Sequence, residues 1–257
     1  MNPRHLPSPD FEYRTDAGKS FELFDVVGGA HASALDTLID LHHRAFPEHR
    51  YVAERIATDA RLPNLRDGIV VHQWLICIDG DAVGYSLTDS NLVRRVAPHH
   101  FLAVLPEART HLVNGLRVGA WMFHDLHRQL LDDAGEPGFG GVAETPDYKL
   151  PIFLPVGWRA LPMTYREPIH GWRWPELGLE TRDVVLLWFP QPALSEAEAE
   201  RLEPQAGHAA AAAFLIDTYR LDTSAPWVVE LCGSECDRVA PRRDVVAGVA
   251  DRGETES

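Results

Sequence analysis

The chain has 257 residues, 45% of them hydrophobic, and 24 Lys+Arg against 38 Asp+Glu give a formal net charge of −14. That length suits one large domain or one domain with an appendage, and the acidity argues against nucleic acid as the main partner. No apolar run approaches the ~20 residues of a membrane helix, the N-terminus lacks a signal-peptide core, so the expected compartment is the cytoplasm, and Cys77, Cys232 and Cys236 are too few for a disulfide scaffold.

Residues 1–19 are Pro-rich and polar and read as a loose arm. Phe21 to Val27 reads as a strand ended by Gly28-Gly29. Ala32 to Phe46 carries Leu35, Leu38, Ile39 and Leu41 near helical spacing, and Pro47 stops that helix. A second short helix runs from Tyr51 to Arg61 and closes before Pro63. Gln73–Ile78 and Ala82–Thr88 are strands of a hairpin turned at Asp79-Gly80-Asp81. Pro98 marks a break, and His100 to Leu105 forms the next strand. The stripe Val118, Met122, Phe123, Leu126, Leu130 predicts an amphipathic helix over 116–131, opened by Asn114-Gly115 and Gly119-Ala120. A strand, a glycine turn and a helix N-terminus in succession make an anion site of a size to suit a diphosphate.

A strand from about Phe139 to Ala143 follows. Pro146 to Val156 reads as a short, proline-interrupted helix. Trp158–Arg166 and Asp183–Phe189 read as strands joined by a Trp-, Pro- and Gly-rich loop. Beyond Pro190 the composition shifts. Ser195–Leu202 is a capped, charged helix start, five consecutive alanines make His208–Tyr219 helical, and the rest is acidic and frayed. The expected division is an arm over 1–19, a domain over 20–190, and a helical extension with an acidic, partly disordered tail over 191–257. The tail is read as either a dimer arm or a lid, which leaves a homodimer open.

Three stretches carry a family resemblance: LAVLPEAR at Leu102–Arg109, GLRVGA at Gly115–Ala120, and the turn Val156-Gly157-Trp158. With the element order over about residues 20–190, they resemble the GNAT acyltransferase superfamily. The resemblance implies an α/β (α+β) fold with a central mixed, splayed sheet of about six to seven strands flanked by helices. It implies acetyl-CoA or another acyl-CoA as co-substrate, no metal, and a small-molecule amine as acceptor. It places the cofactor along Leu102, Val104, Arg109, Gly115, Arg117, Val118, Gly119, Ala120 and Phe153. The chain departs from the family pattern in three places. Thr110 to Asn114 is inserted before the glycine turn. Arg117 replaces the middle glycine, where it either adds a charge-assisted phosphate contact or blocks the groove. Phe153 stands where many members carry a tyrosine that protonates the thiolate.

Amide formation from a thioester needs a proton acceptor, a polarising N–H and proximity. His100, Glu144 and Tyr148 are the candidates for proton chemistry. Histidine is a side chain suited to proton transfer, and His100, by period-two alternation, shares a face with Leu102 and Val104; the bland reading is a cap on an exposed strand start. Glu144 follows a strand that faces the same cleft in the family; the bland reading is a surface acid before Pro146. Tyr148 either replaces the acid missing at Phe153 or is a surface tyrosine. Asp89 and Tyr85 are candidates to line an acceptor pocket. His124 and His127 lack a third metal ligand, Cys232 and Cys236 lack two-residue spacing, and the paired tryptophans Trp172 and Trp174 beside Arg173 form either an acceptor wall or core packing. No residue stands out as a nucleophile for an acyl-enzyme.

The expected activity is direct N-acyl transfer, most simply acetyl transfer, in a ternary complex. Two alternatives stay open. One is an acyltransferase whose donor is an acyl-carrier protein or a longer acyl-CoA. The other is a non-catalytic domain that binds a ligand or partner.

Overall fold

Asp25, at the end of a strand, accepts from the backbone N–H of Gln73 on the next strand of the sheet, and side-chain ties of this kind lock the register of a large mixed sheet. The protein is described by a computed structural model covering residues 8–29 and 31–238. In chain order the elements are β1 (Phe11–Arg14), β2 (Ser20–Asp25), α1 (Leu35–Ala45), α2 (Val52–Asp59), β3 (Leu65–Arg66), β4 (Ile69–Ile78), β5 (Asp81–Asn91) and β6 (Val96–Val104). A two-strand ribbon, β7 (Leu112–Val113) and β8 (Leu116–Arg117), leads into α3 (Val118–Ala134) and β9 (Gly140–Thr145). Then come α4 (Leu150–Phe153), β10 (Arg159–Ala160), β11 (Tyr165–Pro168), α5 (Trp174–Leu177), β12 (Thr181–Pro190), α6 (Glu196–Ala212), a π-helical turn over Ala213–Thr218, and α7 (Pro226–Cys232).

The sheet runs in the order β1-β2-β4-β5-β6-β9-β12-β10, with β3 on β4 and β11 on β12. Every pairing in it is antiparallel except β6 with β9. That pair is parallel because α3 carries the chain back between the two strands, as a crossover must. It is also short: Val96 to His99 face Gly140 to Ala143, and pairing stops there. Beyond that point β6 continues to Val104 bound to β5 alone, and Glu144 and Thr145 bind β12 alone. The sheet therefore parts between His100 and Glu144.

Helices cover both faces. On one, α3 packs Val118, Trp121 and Met122 against Trp74, Ile76, Leu102 and Val104. On the other, α1 and α2 bury Leu38, Leu41, Val52 and Ile56 over Leu75, Tyr85, Leu87 and Phe101. The same face carries α6 over β9 and β12, where Ala206 and Ala209 to Ala213 are almost fully buried against Val142, Leu186 and Trp188. Small side chains let that helix lie close to the sheet.

Several expectations change. The arm over 1–19 contains β1, which pairs with β2; Phe11 and Tyr13 pack edge-on against Trp74 and Trp121, and Arg128 sits 4.0 Å over the Phe11 ring. Pro98 lies inside β6. It has no N–H to donate, and the β5–β6 ladder leaves Ala97 and Pro98 unpaired between Val96 and His99. The strand expected over Trp158–Arg166 is two short strands, and the tryptophan loop contains α5. The extension beyond Pro190 is no appendage: α6 runs unbroken through Pro204 from a Ser195–Glu198 capping box and forms core with the sheet. Residues 226–237, expected to fray, are helical and bury Val228 and Cys232. The end of the acidic tail, 239–257, lies outside the described residues.

Candidate active site at the parted strands

β6 carries a bulge between the pairs Leu87–Phe101 and Thr88–His99. The extra residue is His100, and a bulge re-aims side chains on either side of itself. His99 faces α3, edge-on to Phe123. His100 and Phe101 both face the opposite side, His100 toward Asp89 and Phe101 toward His42, Phe46 and His49. Leu102 and Val104 return to the α3 side. His100 therefore does not share a face with Leu102 and Val104, because the bulge breaks the period of two on which that expectation rested.

On the His100 side lies a cavity of about 540 Å³ between α1–α2 and the β11–Tyr219 region. Its floor is the sheet. Gln73 of β4, Asp89 of β5, His100 of β6 and Glu144 of β9 line it, and Tyr51, Arg55 and Trp172 wall one side. His100 donates from Nε2 to Asp89 Oδ2 at 2.8 Å. Asp89 is 4% exposed. Burial alone raises its pKa, but the charge and hydrogen bond of His100, with Arg55 at 3.6 Å, outweigh that and hold it below the ordinary carboxylate value. An ionised Asp89 fixes the proton of His100 on Nε2 and leaves Nδ1 as the basic nitrogen.

Glu144 stands across the opening. Tyr165 donates its hydroxyl to Oε1 and Tyr219 donates to Oε2. Burial and the nearby Glu167 carboxylate push the Glu144 pKa well up, against the pull of the two hydroxyls and Arg182. Glu167 is itself raised by burial, in opposition to its ion pair with Arg182. No cation pairs with Glu144 among the described residues. A carboxyl so placed gains most from an ammonium brought in from outside.

The α3 side of the opening presents backbone. Leu105 donates its N–H to Val83 of the β5 strand. By alternation Phe101 and Ala103 do likewise, and the N–H groups of Leu102 and Val104 face the opening. Beside them α3 begins, with Gly119 next to Leu102: a Cβ at Gly119 meets only Leu102 Cδ2 at 3.9 Å. Val118 N–H is taken by the His111 carbonyl, which leaves the amides of Gly119 and Ala120 as the first-turn donors outside the helix ladder. Arg117 is the exposed N-cap residue and makes no side-chain cap. Arg109 does not reach for a ligand with its Nε, which donates to the Val104 carbonyl at 2.9 Å.

Gly115 lies elsewhere. Asn114 and Gly115 both have positive φ, 53° and 77°, and make the turn of the β7–β8 ribbon, the primed type that favours Asn-Gly. Gly115 N–H is held by Asp16, so the helix opens at Val118 and not at Asn114-Gly115. Phe153 packs against Phe123 and Trp158. Tyr148 lies on the cavity rim, 73% exposed. Tyr85 is fully buried and hydrogen-bonds His42, 2.7 Å away. Cys232 and Cys236 are free thiols, and no group of three metal-binding side chains occurs among the described residues. No helix among the described residues is long and apolar enough to cross a membrane.

No protein-family model matches the chain, and no curated protein matches it. Solved structures do. The catalytic domain of the Tetrahymena GCN5 histone acetyltransferase, in complex with coenzyme A, is 12% identical, with 68% of this chain and 96% of that one covered at a TM-score of 0.42. A mutant of the Vibrio cholerae spermidine N-acetyltransferase SpeG is 10% identical, covering 66% and 93% at 0.40. The aminoglycoside acetyltransferase AAC(6')-Ib, in complex with coenzyme A and kanamycin, is 12% identical, covering 70% and 98% at 0.43.

Proposed function

We propose that this protein is an acyl-CoA-dependent N-acyltransferase that moves an acyl group, most simply acetyl, to a small amine by direct attack. The observation that carries this is the end of β6–β9 pairing at His99–Ala143. It opens the sheet so that two different surfaces meet at one gap. One is a strand edge with free amides at Leu102 and Val104 beside the first turn of α3. The other is a cavity with His100 and Glu144 at its floor.

The chain's groups fit an acyl-CoA on the α3 side. The amides of Gly119 and Ala120, at the positive end of a 17-residue helix, suit a diphosphate, and the absence of a side chain at Gly119 leaves room for it. The amides of Leu102 and Val104 suit the amide-bearing arm that leads to the thioester. When bound, the thioester supplies an acyl carbon open to attack by nitrogen.

On the cavity side, Glu144 receives the ammonium form of the acceptor. His100, with Nε2 tied to Asp89, takes the proton at Nδ1 and leaves a neutral amine aimed at the gap. Tyr165 and Tyr219 hold the Glu144 carboxylate in one orientation. Asp89 is a positioning residue that acts through His100. Calorimetric titration with acetyl-CoA tests the reading. It requires saturable binding, weakened when the Gly119 position is filled, and acetyl transfer to an amine that His100→Gln slows without loss of acetyl-CoA binding. An absence of acetyl-CoA binding removes the reading.

A further inference from the structure

Gln73 is a polar cavity-floor side chain that the acyl-transfer reading leaves without a task. It is 2% exposed, shares the α2-side face of the sheet with Leu75, and lines the cavity. Its backbone N–H is bound to Asp25, but its side-chain oxygen has no hydrogen-bond partner. A buried acceptor left unpaired is costly, and the surrounding fold gives no reason for it. Leu75, two residues on and on the same face, is ordinary apolar core.

The position of Gln73 has a second consequence. It lies on β4, and Glu144 lies on β9, with β5 and β6 between them. Two strand spacings, about 10 Å, lead from β4 to β6, and the parting of the sheet adds to that before Glu144 is reached. Both residues line the cavity. The charges between the two ends are already matched: Asp89 is bound to His100 and faced by Arg55, and Asp59 is bound by Arg55 and Arg66. One end of the cavity thus offers a carboxyl with no cationic partner among the described residues, and the other offers a neutral side-chain amide with an unpaired oxygen.

We propose that the acceptor is an elongated monoamine bearing a hydroxyl or amide group at the end remote from its amine, with the ammonium on Glu144 and the distal group hydrogen-bonded to the Gln73 side-chain amide. The apolar body between them lies over Leu87 and Phe101, walled by Tyr51 and Trp172. A second charge at the far end is disfavoured, because Arg55 already neutralises the acids there. This rests on the reading of the cavity as the acceptor site.

The test is calorimetric titration of the full chain with aminohexanol, hexylamine and aminopropanol. Aminohexanol is expected to bind about three- to tenfold tighter than hexylamine, the worth of one neutral hydrogen bond, and aminopropanol, too short to span the floor, is expected to bind weakest. Gln73→Leu removes an unpaired polar group, so its thermal midpoint is expected to hold or rise while the preference for aminohexanol over hexylamine disappears. No preference in the wild type, a preference that survives Gln73→Leu, or no binding of any of these amines overturns the proposal; an internal water then satisfies Gln73. Acetyl-CoA titrated into the same samples reports separately. Binding there without a hydroxyl preference removes this inference alone, and loss of it removes the acyltransferase reading.

Discussion

Tyr219 and Glu144, 75 residues apart in the chain, meet at the mouth of the parted strands, where the tyrosine hydroxyl donates to the carboxylate Oε2. Tyr219 is delivered by the π-helical turn that ends α6, and its own N–H reaches back five residues to the Phe214 carbonyl. Such turns recur where a helix must re-aim a side chain at a site. The segment beyond Pro190 is thereby part of the candidate site.

Removing that hydroxyl takes away a donor that favours the ionised carboxylate. Tyr219→Phe is expected to raise the Glu144 pKa further and to move the acid limb of the kcat/KM profile to higher pH. On that acid limb kcat/KM falls by about tenfold, while the plateau at high pH changes little. A pH–rate profile checks it. A uniform loss at every pH points to packing and not to the carboxyl.

Gly119 separates ligand effects from stability. Gly119→Glu places an anion in the first turn of α3, where it favours the helix by about 0.3–1 kcal/mol, on top of the gain from replacing glycine. The same carboxylate repels a diphosphate. The expected outcome is an unchanged or raised thermal midpoint with acetyl-CoA affinity lowered at least about tenfold, read by thermal melting and calorimetry on one sample.

Arg94 is 1% exposed and binds Asp217 in the π-helical turn at 2.9 Å, with Glu235 as a second partner. Among the described residues, Arg94→Met leaves Asp217 with only the Asn91 amide and Glu235 with only Arg238, and is expected to cost about 3–5 kcal/mol. Arg94→Lys keeps the charge but loses the planar fork, so it is expected to recover only part. Denaturant unfolding measures both. Because Asp217 lies two residues from Tyr219, the Arg94→Lys protein is also expected to bind amines more weakly than the wild type.

Two elements show what the sequence made legible and what it hid. The hairpin at Asp79-Gly80-Asp81 and the apolar stripe of α3 are local patterns, and both elements exist close to their expected bounds. Glu144 and His100 were legible as candidates because the family resemblance places proton chemistry on the two strands that carry them. Their partners were not. Tyr165 and Tyr219 reach Glu144 only through the antiparallel β11–β12 pairing and the packing of α6, and no spacing in the chain encodes that. The His100 face was misjudged because a bulge is a property of two strands together, and only the neighbouring Pro98 signals an irregular ladder. β1 was missed because its alternation spans four residues in a proline-rich context.

His72 sets a stability–pH relation away from the site. It lies between Asp25 Oδ2 at 2.6 Å and Asp133 Oδ2 at 2.9 Å, stacked on Trp74. Burial pulls its pKa down, but the two carboxylates overcome that and lift it to about 9. The folded value exceeds the unfolded one, so the stabilisation is complete below about pH 6.5 and is lost as pH rises through about 9. At pH 6 it amounts to about 2–3 kcal/mol. His72→Gln is expected to flatten the fall in unfolding free energy between pH 6.5 and 9, measured by urea titration across that range.

The most direct test of the central claim is amide NMR of the protein during titration with acetyl-CoA. The account predicts saturable shifts, with slowed exchange, at the N–H groups of Leu102, Val104, Gly119 and Ala120, and little change at Gly115. Saturating acetyl-CoA that leaves those four amides unmoved contradicts it.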